Sequence, residues 1–182
     1  MRTHFAPKLV MPVSERDHIR GSADASVTLL EYGDYQCPYC GAANPIVDEI
    51  RDELGEGLRF VFRNFPLTEM HPQAEHAAEI AEAAAAHNRF WEMHDMLYAH
   101  QNALGDQHLA QYVALLHVPA SEVNRALVQH AYQARIHEDF MSGVRSGVNG
   151  TPTFFINGVR HDGPFDRETL LAAIAQALRQ GV

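Results

Sequence analysis

Two strand-like segments with an amphipathic helix between them most constrain the fold of this chain. The run VTLLEYGD at residues 27–34 is short and rich in aliphatic and β-branched residues, which is typical of a buried strand. A second run of this kind, LRFVFRNF, occupies residues 58–65. Between them apolar residues recur at helical spacing, at Ala43, Ile46, Val47, Ile50 and Leu54. This order of elements predicts a βαβ unit.

The middle of the chain differs from the first part in its composition and hydrophobic pattern. From about Pro72 to Val148 the sequence is rich in alanine and shows no convincing strand pattern. This composition predicts a block of four or five helices, one of which covers residues 121–140 without a break.

The last part of the chain predicts two more strands and a helix. TFFIN at residues 153–157 and VRH at residues 159–161 are joined by an Asn-Gly turn, which is typical of a β-hairpin. Asp166 is expected to cap the final helix. The apolar stripe of that helix is Leu170, Leu171, Ile174 and Leu178. Together the segments predict an α/β fold, in which a mixed central sheet is flanked by helices and interrupted by an all-helical insertion.

The only two cysteines, Cys37 and Cys40, lie where the first strand passes into the first helix. Pro38 suits the first helical position, because its missing N–H costs nothing there. Cys37 would then lie at the helix N-terminus, where free backbone N–H groups and the helix dipole favour a thiolate. We expect Cys37 to be the nucleophile. Cys40, one turn later on the same face, is expected to be the more buried, resolving thiol.

Two structural interpretations compete with a redox role for this pair. A disulfide staple would close so short a loop that it would remove little entropy from the unfolded chain. A zinc site would need His71 and His76 as further ligands, yet a predicted helix and strand separate them from Cys40. The redox interpretation is therefore favoured, and no metal is expected.

Two further pairs of histidines are spaced by seven residues, His87 with His94 and His130 with His137. On one helix this spacing puts both rings on the same face but about 10 Å apart, too far to share a metal ion. We expect these histidines to be solvated or to bond within the protein.

Four features of the chain occur together in one known family. They are the CPYC motif at residues 37–40, Pro45 inside the first helix, Gly150-Thr151-Pro152, and the terminal hairpin and helix. In these features the chain resembles the DsbA-like oxidoreductases of the thioredoxin superfamily, over about residues 27–178. The resemblance implies a thioredoxin fold with a helical insertion. Its three parts would be an N-terminal half at residues 1–71, the insertion at 72–148 and a C-terminal half at 149–182.

The resemblance also implies roles for residues around the cysteine pair. Pro152 would be a cis-proline facing the cysteines, and the backbone of Thr151 would pair with an extended substrate chain. Pro38 and Tyr39 would contact substrate, since the motif is exposed there. Tyr39 departs from the strongly oxidising DsbA proteins, which have histidine at this position.

Glu31 lies six residues before Cys37 in an otherwise apolar strand, where a carboxylate is costly unless it is needed. By resemblance it occupies the position of a buried acid that exchanges a proton with Cys40, with a pKa raised by desolvation. The alternative is that strand alternation turns Glu31 outward to solvent.

Charge and hydropathy limit the partners. The chain has 14 Lys and Arg against 23 Asp and Glu, and the net charge of -9 argues against nucleic acid and anionic lipid as partners. No apolar run is long enough to span a bilayer, and Pro12, Ser14 and Glu15 interrupt the N-terminal apolar stretch, so no signal peptide or anchor is predicted. A cytoplasmic location is therefore expected, with reduction or isomerisation favoured over oxidation.

These observations predict a thiol–disulfide oxidoreductase. Its substrates would be protein or small-molecule disulfides and dithiols, an external reductant or oxidant would recycle it, and the Cys37–Cys40 disulfide would stand in place of a cofactor. Two alternatives stay open. One is a zinc- or partner-binding module without catalysis; the other is a glutathione-dependent transferase or isomerase of the same fold, although these generally have a serine near this position and lack the CxxC.

Overall fold

The computed structural model describes residues 7–180, which form five strands and seven α-helices. The strands are β1 His18–Arg20, β2 Val27–Gly33, β3 Leu58–Asn64, β4 Thr153–Ile156 and β5 Val159–Arg160. The helices are α1 Pro38–Leu54, α2 Ala74–Ala85, α3 Phe90–Ala99, α4 Asp106–Leu115, α5 Ala120–Val128, α6 Gln133–Arg145 and α7 Arg167–Gln180. Six residues of the N-terminal stretch in which no signal peptide is predicted lie outside the described residues.

The strands form one mixed sheet in the order β1-β3-β2-β4-β5. β2 and β3 are parallel and joined by α1, as the βαβ prediction requires, and the other neighbours are antiparallel. Glu31 in the central strand β2 lies opposite Phe62 of β3 and Phe154 of β4. The predicted α/β fold with a mixed sheet and a helical insertion is confirmed.

Apolar residues cover both faces of the sheet, so the central strand β2 is buried along almost its whole length. The larger core joins α1, one face of the sheet, the helices of the insertion and α7. A smaller core on the other face contains Leu30, Tyr32, Val61, Phe65, Val148 and Phe155. Side chains alternate along a strand, so Glu31 and Leu29 point to the face that α1 and α3 cover.

Strand β1 is not predicted from the sequence, because it has only three residues and two of them are His18 and Arg20. It pairs with β3 at the edge of the sheet. The buried ion pair between Arg63 and Asp17, with 2.7 Å between Arg63 Nε and Asp17 Oδ1, fixes the chain just before it.

The unbroken helix predicted over residues 121–140 is wrong. α5 ends at Val128, His130 has a φ of +50°, and α6 begins at Gln133. The break lets α5 pack against α2 while α6 packs against β3. His130 and His137 therefore share no helix face.

The pairing of His87 with His94 on one helix is also wrong, because α2 ends before His87 and His94 belongs to α3. In α7, Leu170 and Ile174 are buried as expected, but the predicted core residue Leu178 is 36% exposed near the end of the helix.

Local signals at the end of the chain are confirmed. Asp166 caps α7, since its carboxylate accepts hydrogen bonds from the backbone N–H and the hydroxyl of Thr169 at 3.0 and 2.7 Å. Asn157 and Gly158 both have positive φ in the turn between β4 and β5. Within residues 7–180 no helix is long and apolar enough to cross a membrane.

Candidate active site

Cys37 is the residue immediately before α1, and Pro38 occupies the start of the helix as expected. The Cys37 carbonyl accepts a hydrogen bond from the Gly41 N–H at 3.1 Å. Cys37 is 3% exposed, and its sulfur lies 3.4 Å from the carbonyl oxygen of Thr151, to which the protonated thiol donates. The sulfur therefore lies between the first turn of α1 and the loop before β4.

The loop before β4 contains the Thr151–Pro152 peptide bond, which is cis, as the resemblance implies. Thr151 and Pro152 are half-buried. The structure thus brings Thr151 to Cys37, although the two are more than 100 positions apart in the sequence, and Pro152 follows Thr151 in the same loop.

The electrostatics of the two sulfurs differ sharply. The pKa of Cys37 is lowered to about 5, chiefly by a hydrogen bond from the Cys40 side chain and further by the Thr151 side chain and backbone N–H groups, against the effect of burial. The pKa of Cys40 is raised well above its usual 9.0, because the residue is fully buried and lies close to Cys37 and Glu31. Near neutral pH one sulfur is a thiolate and the other is a thiol.

Glu31 is 2% exposed, so the alternative in which it faces solvent is wrong. Burial, followed by the negative charge of Cys37, raises its pKa to about 8. Phenylalanines lie opposite it on both neighbouring strands, which explains the desolvation. An acid with this pKa can hold or release a proton near neutral pH.

Aromatic residues form the wall beside Glu31. Tyr35 and His94 share a hydrogen bond of 3.1 Å between the hydroxyl and Nδ1, and their rings pack with those of Phe62 and Tyr98. Burial lowers the pKa of His94 well below its usual value, so this imidazole is neutral. His94 is thus a buried histidine that bonds within the protein.

Asp34 supports the turn that carries Cys37, a role that is not predicted from the sequence. Its buried carboxylate accepts hydrogen bonds from four N–H groups. Oδ1 accepts from the backbones of Gln36 and Cys37, at 2.8 and 3.2 Å, and Oδ2 accepts from the backbone of Leu67 and from Nδ1 of His71, each at 2.8 Å. An acidic residue four positions before a helix start is a signal that could have identified it.

Gln101, just after α3, is a second such support. Its amide Nε2 donates to the carbonyl oxygens of Tyr35 and Cys37, at 2.9 and 2.8 Å. Gly41 leaves the space for this amide, because a Cβ at residue 41 would collide with it. No local pattern in the sequence links Gln101 to the cysteines.

The two histidines of the zinc alternative bond to different carboxylates. His71 bonds to Asp34, and His76 lies 3.1 Å from Asp106. Across residues 7–180, no three His, Cys, Asp or Glu side chains form a group that could hold a metal ion.

Tyr39 and Pro38 form the exposed rim of the site. Both lie on the solvent side of the first turn of α1, and Tyr39 is 66% exposed. A partner that approaches Cys37 from solvent would meet these side chains.

Comparisons with known proteins agree with this fold. A family model described as Thioredoxin matches residues 13–176. Among solved structures, oxidised BdbD from Bacillus subtilis superposes with a TM-score of 0.82 at 20% identity, covering 96% of this chain and 98% of that one. A thioredoxin-like oxidoreductase from Silicibacter pomeroyi gives a TM-score of 0.81 at 22% identity, covering 91% of this chain and 94% of that one.

Curated relatives carry a different name. The chain is 45% identical over 170 residues to Na(+)/H(+) antiporter NhaA 3 of Salinispora tropica, a match that covers 93% of this chain and 26% of the relative. It is 40% identical over 167 residues to Na(+)/H(+) antiporter NhaA of Herminiimonas arsenicoxydans, covering 92% of this chain and 26% of the relative. The chain thus spans about a quarter of the length of these relatives.

Proposed function

Since this chain belongs to the thioredoxin family, we propose that it is a thiol–disulfide oxidoreductase in which Cys37 attacks and Cys40 resolves. The observation that carries the proposal is the opposite perturbation of the two sulfurs, with a pKa of about 5 at Cys37 and a strongly raised pKa at Cys40. A structural cysteine pair has no need of such a difference, whereas disulfide exchange requires one good nucleophile and one protonated partner.

The proposed cycle starts from the Cys37–Cys40 disulfide. A substrate thiolate attacks the Cys37 sulfur, the bond between the two cysteines breaks, and Cys40 leaves and takes a proton from Glu31. A second substrate thiolate then attacks the substrate sulfur of the mixed disulfide and releases Cys37 as a thiolate. Two electrons pass to the protein, and the substrate leaves as a disulfide. In the reverse direction the Cys37 thiolate attacks a substrate disulfide and releases one substrate thiolate. Cys40 then gives its proton to Glu31 and attacks the Cys37 sulfur, which releases the second substrate thiolate and leaves the Cys37–Cys40 disulfide.

The cis-proline loop is the proposed substrate platform. The Cys37 sulfur lies 3.4 Å from the carbonyl oxygen of Thr151, so an extended substrate chain that pairs with the Thr151 backbone would bring its own sulfur to Cys37. Pro38 and Tyr39 would contact the same chain at the exposed rim. Protein disulfides and dithiols are therefore the proposed substrates, with an external thiol or disulfide to recycle the pair.

The direction of the reaction depends on the relative stability of the reduced and oxidised pair. Thiolate stabilisation at Cys37 favours the reduced protein and hence oxidation of substrates. The cytoplasmic location predicted from the sequence favours reduction or isomerisation. A reduction potential measured against glutathione decides between them, and cell fractionation tests the location.

The curated relatives are named as Na(+)/H(+) antiporters. We propose redox chemistry, and not antiport, for this chain because it contains the Cys37–Cys40 pair. The test is exchange with glutathione disulfide, followed by mass spectrometry of the wild type, Cys37→Ser and Cys40→Ser. We expect Cys40→Ser to accumulate a mixed disulfide at Cys37 and Cys37→Ser to lose exchange. Full exchange by Cys37→Ser would overturn the proposal, and stoichiometric zinc in the reduced protein would favour the metal-binding alternative.

A further inference from the structure

Several buried side-chain oxygens have no hydrogen-bond partner within residues 7–180, and two of them lie close together in the core beside the cysteine pair. These two are Oε1 of Glu31 and the hydroxyl of Tyr98. Buried polar atoms are almost always paired in folded proteins, so each such case asks for an explanation. These two oxygens lie close to each other.

The Tyr98 hydroxyl and Oε1 of Glu31 both lie beside Gly33. A Cβ built on Gly33 would lie 2.8 Å from the Tyr98 hydroxyl and 3.0 Å from Glu31 Oε1, so the separation of the oxygens cannot exceed the sum of these distances. The same Cβ would also collide with the ring of Phe62. Gly33 follows Glu31 by two residues and points to the same face of β2, and Tyr98 comes from α3 across the core. The missing side chain at residue 33 is what leaves room for the approach.

The chemistry of the two groups is complementary. An ionised carboxylate only accepts hydrogen bonds, and a tyrosine hydroxyl can donate one. Burial, followed by the negative charges of Cys40 and Glu31, raises the pKa of Tyr98 well above its usual value, so the hydroxyl keeps its proton. Hydrogen bonds to a charged acceptor are roughly twice as strong as neutral ones, so donation from Tyr98 stabilises ionised Glu31 more than protonated Glu31.

Other groups around Glu31 do not supply such a donor. Phe62 and Phe154 lie opposite it on β3 and β4. The remaining titratable side chains nearby are Cys37 and Cys40 on α1, Asp34 and Tyr35 after β2, and His94 on α3. Asp34 accepts hydrogen bonds from four N–H groups, the Cys40 thiol donates to Cys37, and Tyr35 and His94 bond to each other.

We propose that Tyr98 is a positioning residue whose hydroxyl donates to the Glu31 carboxylate, directly or through one water, once Glu31 has given its proton to Cys40. This inference rests on the proposed function for its role in the cycle. When the Cys37–Cys40 bond breaks and the substrate bond to Cys37 forms, the leaving Cys40 sulfur takes the Glu31 proton and Tyr98 stabilises the resulting charge. In the reverse step, Tyr98 orients the carboxylate that removes the Cys40 proton.

The test compares two conservative variants. Tyr98→Phe removes one oxygen and keeps the ring that packs 5.0 Å from Tyr35 and 4.9 Å from His94. Tyr35→Phe is the matched control, because Tyr35 is a buried tyrosine of the same cluster whose hydroxyl bonds to His94 instead. The Glu31 pKa is measured in each full-length reduced protein by carbon NMR of its carboxyl group.

We expect Tyr98→Phe to raise the Glu31 pKa and Tyr35→Phe to leave it unchanged. Tyr98→Phe should also slow the step that resolves the mixed disulfide several-fold, with no further effect in a Glu31→Gln background. An unchanged Glu31 pKa in Tyr98→Phe, or an equal rise in both variants, overturns the inference. A raised pKa in a protein without exchange activity would overturn the proposed function while supporting the contact.

Discussion

The imidazole Nδ1 of His71 lies 2.8 Å from Oδ2 of the buried Asp34 carboxylate. Through Asp34 this contact joins the turn that carries Cys37 to the connection between β3 and α2, since the other carboxylate oxygen accepts from the Cys37 backbone. The position of the Cys37 sulfur thus depends on a histidine 34 positions further along the chain.

His71→Ala should destabilise the fold, because it leaves a buried carboxylate with one donor fewer. Hydrogen bonds to charged groups contribute about 1.5–3 kcal/mol, and we expect a loss of this size in the free energy of unfolding by urea. His76→Ala is the control, since its partner Asp106 is 90% exposed and such pairs contribute less than about 1 kcal/mol. Equal losses in the two variants would contradict the role of the Asp34–His71 contact.

Cys37 should titrate with a pKa of about 5, so that its thiolate absorbance and its rate of alkylation rise through this pH and level off before neutrality. The hydrogen bond from Cys40 is the largest cause of the lowering. Cys40→Ala should therefore raise the Cys37 pKa more than Cys40→Ser, which keeps a hydroxyl donor. If the alanine and serine variants titrate alike, another group sets the pKa.

Glu31→Gln should change how stability depends on pH. The folded pKa of Glu31, about 8, is above the ordinary 4.5, so the folded protein holds a proton that the unfolded chain gives up. The wild type therefore loses stability relative to Glu31→Gln as pH rises from 4.5 to 8, by a few kcal/mol in all. Urea unfolding of the reduced wild type and Glu31→Gln at several pH values checks this, because the raised pKa belongs to the reduced protein. A constant difference across that range would show that Glu31 is not desolvated.

Gly33→Ala should destabilise the protein by about 1–3 kcal/mol, the usual cost of overpacking a filled core. Its Cβ would collide with Phe62 and crowd the Tyr98 hydroxyl. Gly57→Ala is the matched control, because a Cβ there has no neighbour within 4 Å. Thermal unfolding of both variants measures the difference, and a stable Gly33→Ala would show that the core at this point is loosely packed.

The sequence was informative where the signal is local. The helix start at Pro38, the Asn-Gly turn and the Asp166 cap each depend on residues within a few positions of one another, and the βαβ unit depends on the periodicity within three successive segments; the structure contains all four. The burial of Glu31 followed from a resemblance to known proteins together with the cost of a charge in an apolar strand.

What the sequence did not reveal depends on contacts between distant segments. Gln101 and Tyr98 reach the site only because α3 packs against α1 and the sheet, and no pattern around either residue marks that position. The break at His130 is a tertiary effect too, since residues 121–140 have helical periodicity and the chain turns there to pack on two different elements. β1 has only three residues, which is too few for an alternation of apolar and polar residues to be recognised.

The helices between β3 and β4 keep water away from Glu31, so the protein cannot be shortened by removing them without changing this acid. α3 supplies Tyr98 and His94 to the wall beside Glu31, and Gln101 follows it directly. A chain trimmed to the sheet, α1 and α7 would keep both cysteines and yet let water reach the acid. Its pKa would then fall toward that of an ordinary glutamate, so the trimmed protein would have no proton to give at neutral pH. In the proposed cycle the insertion is thus needed for the proton chemistry, so its removal should cost the protein more than the loss of a spacer.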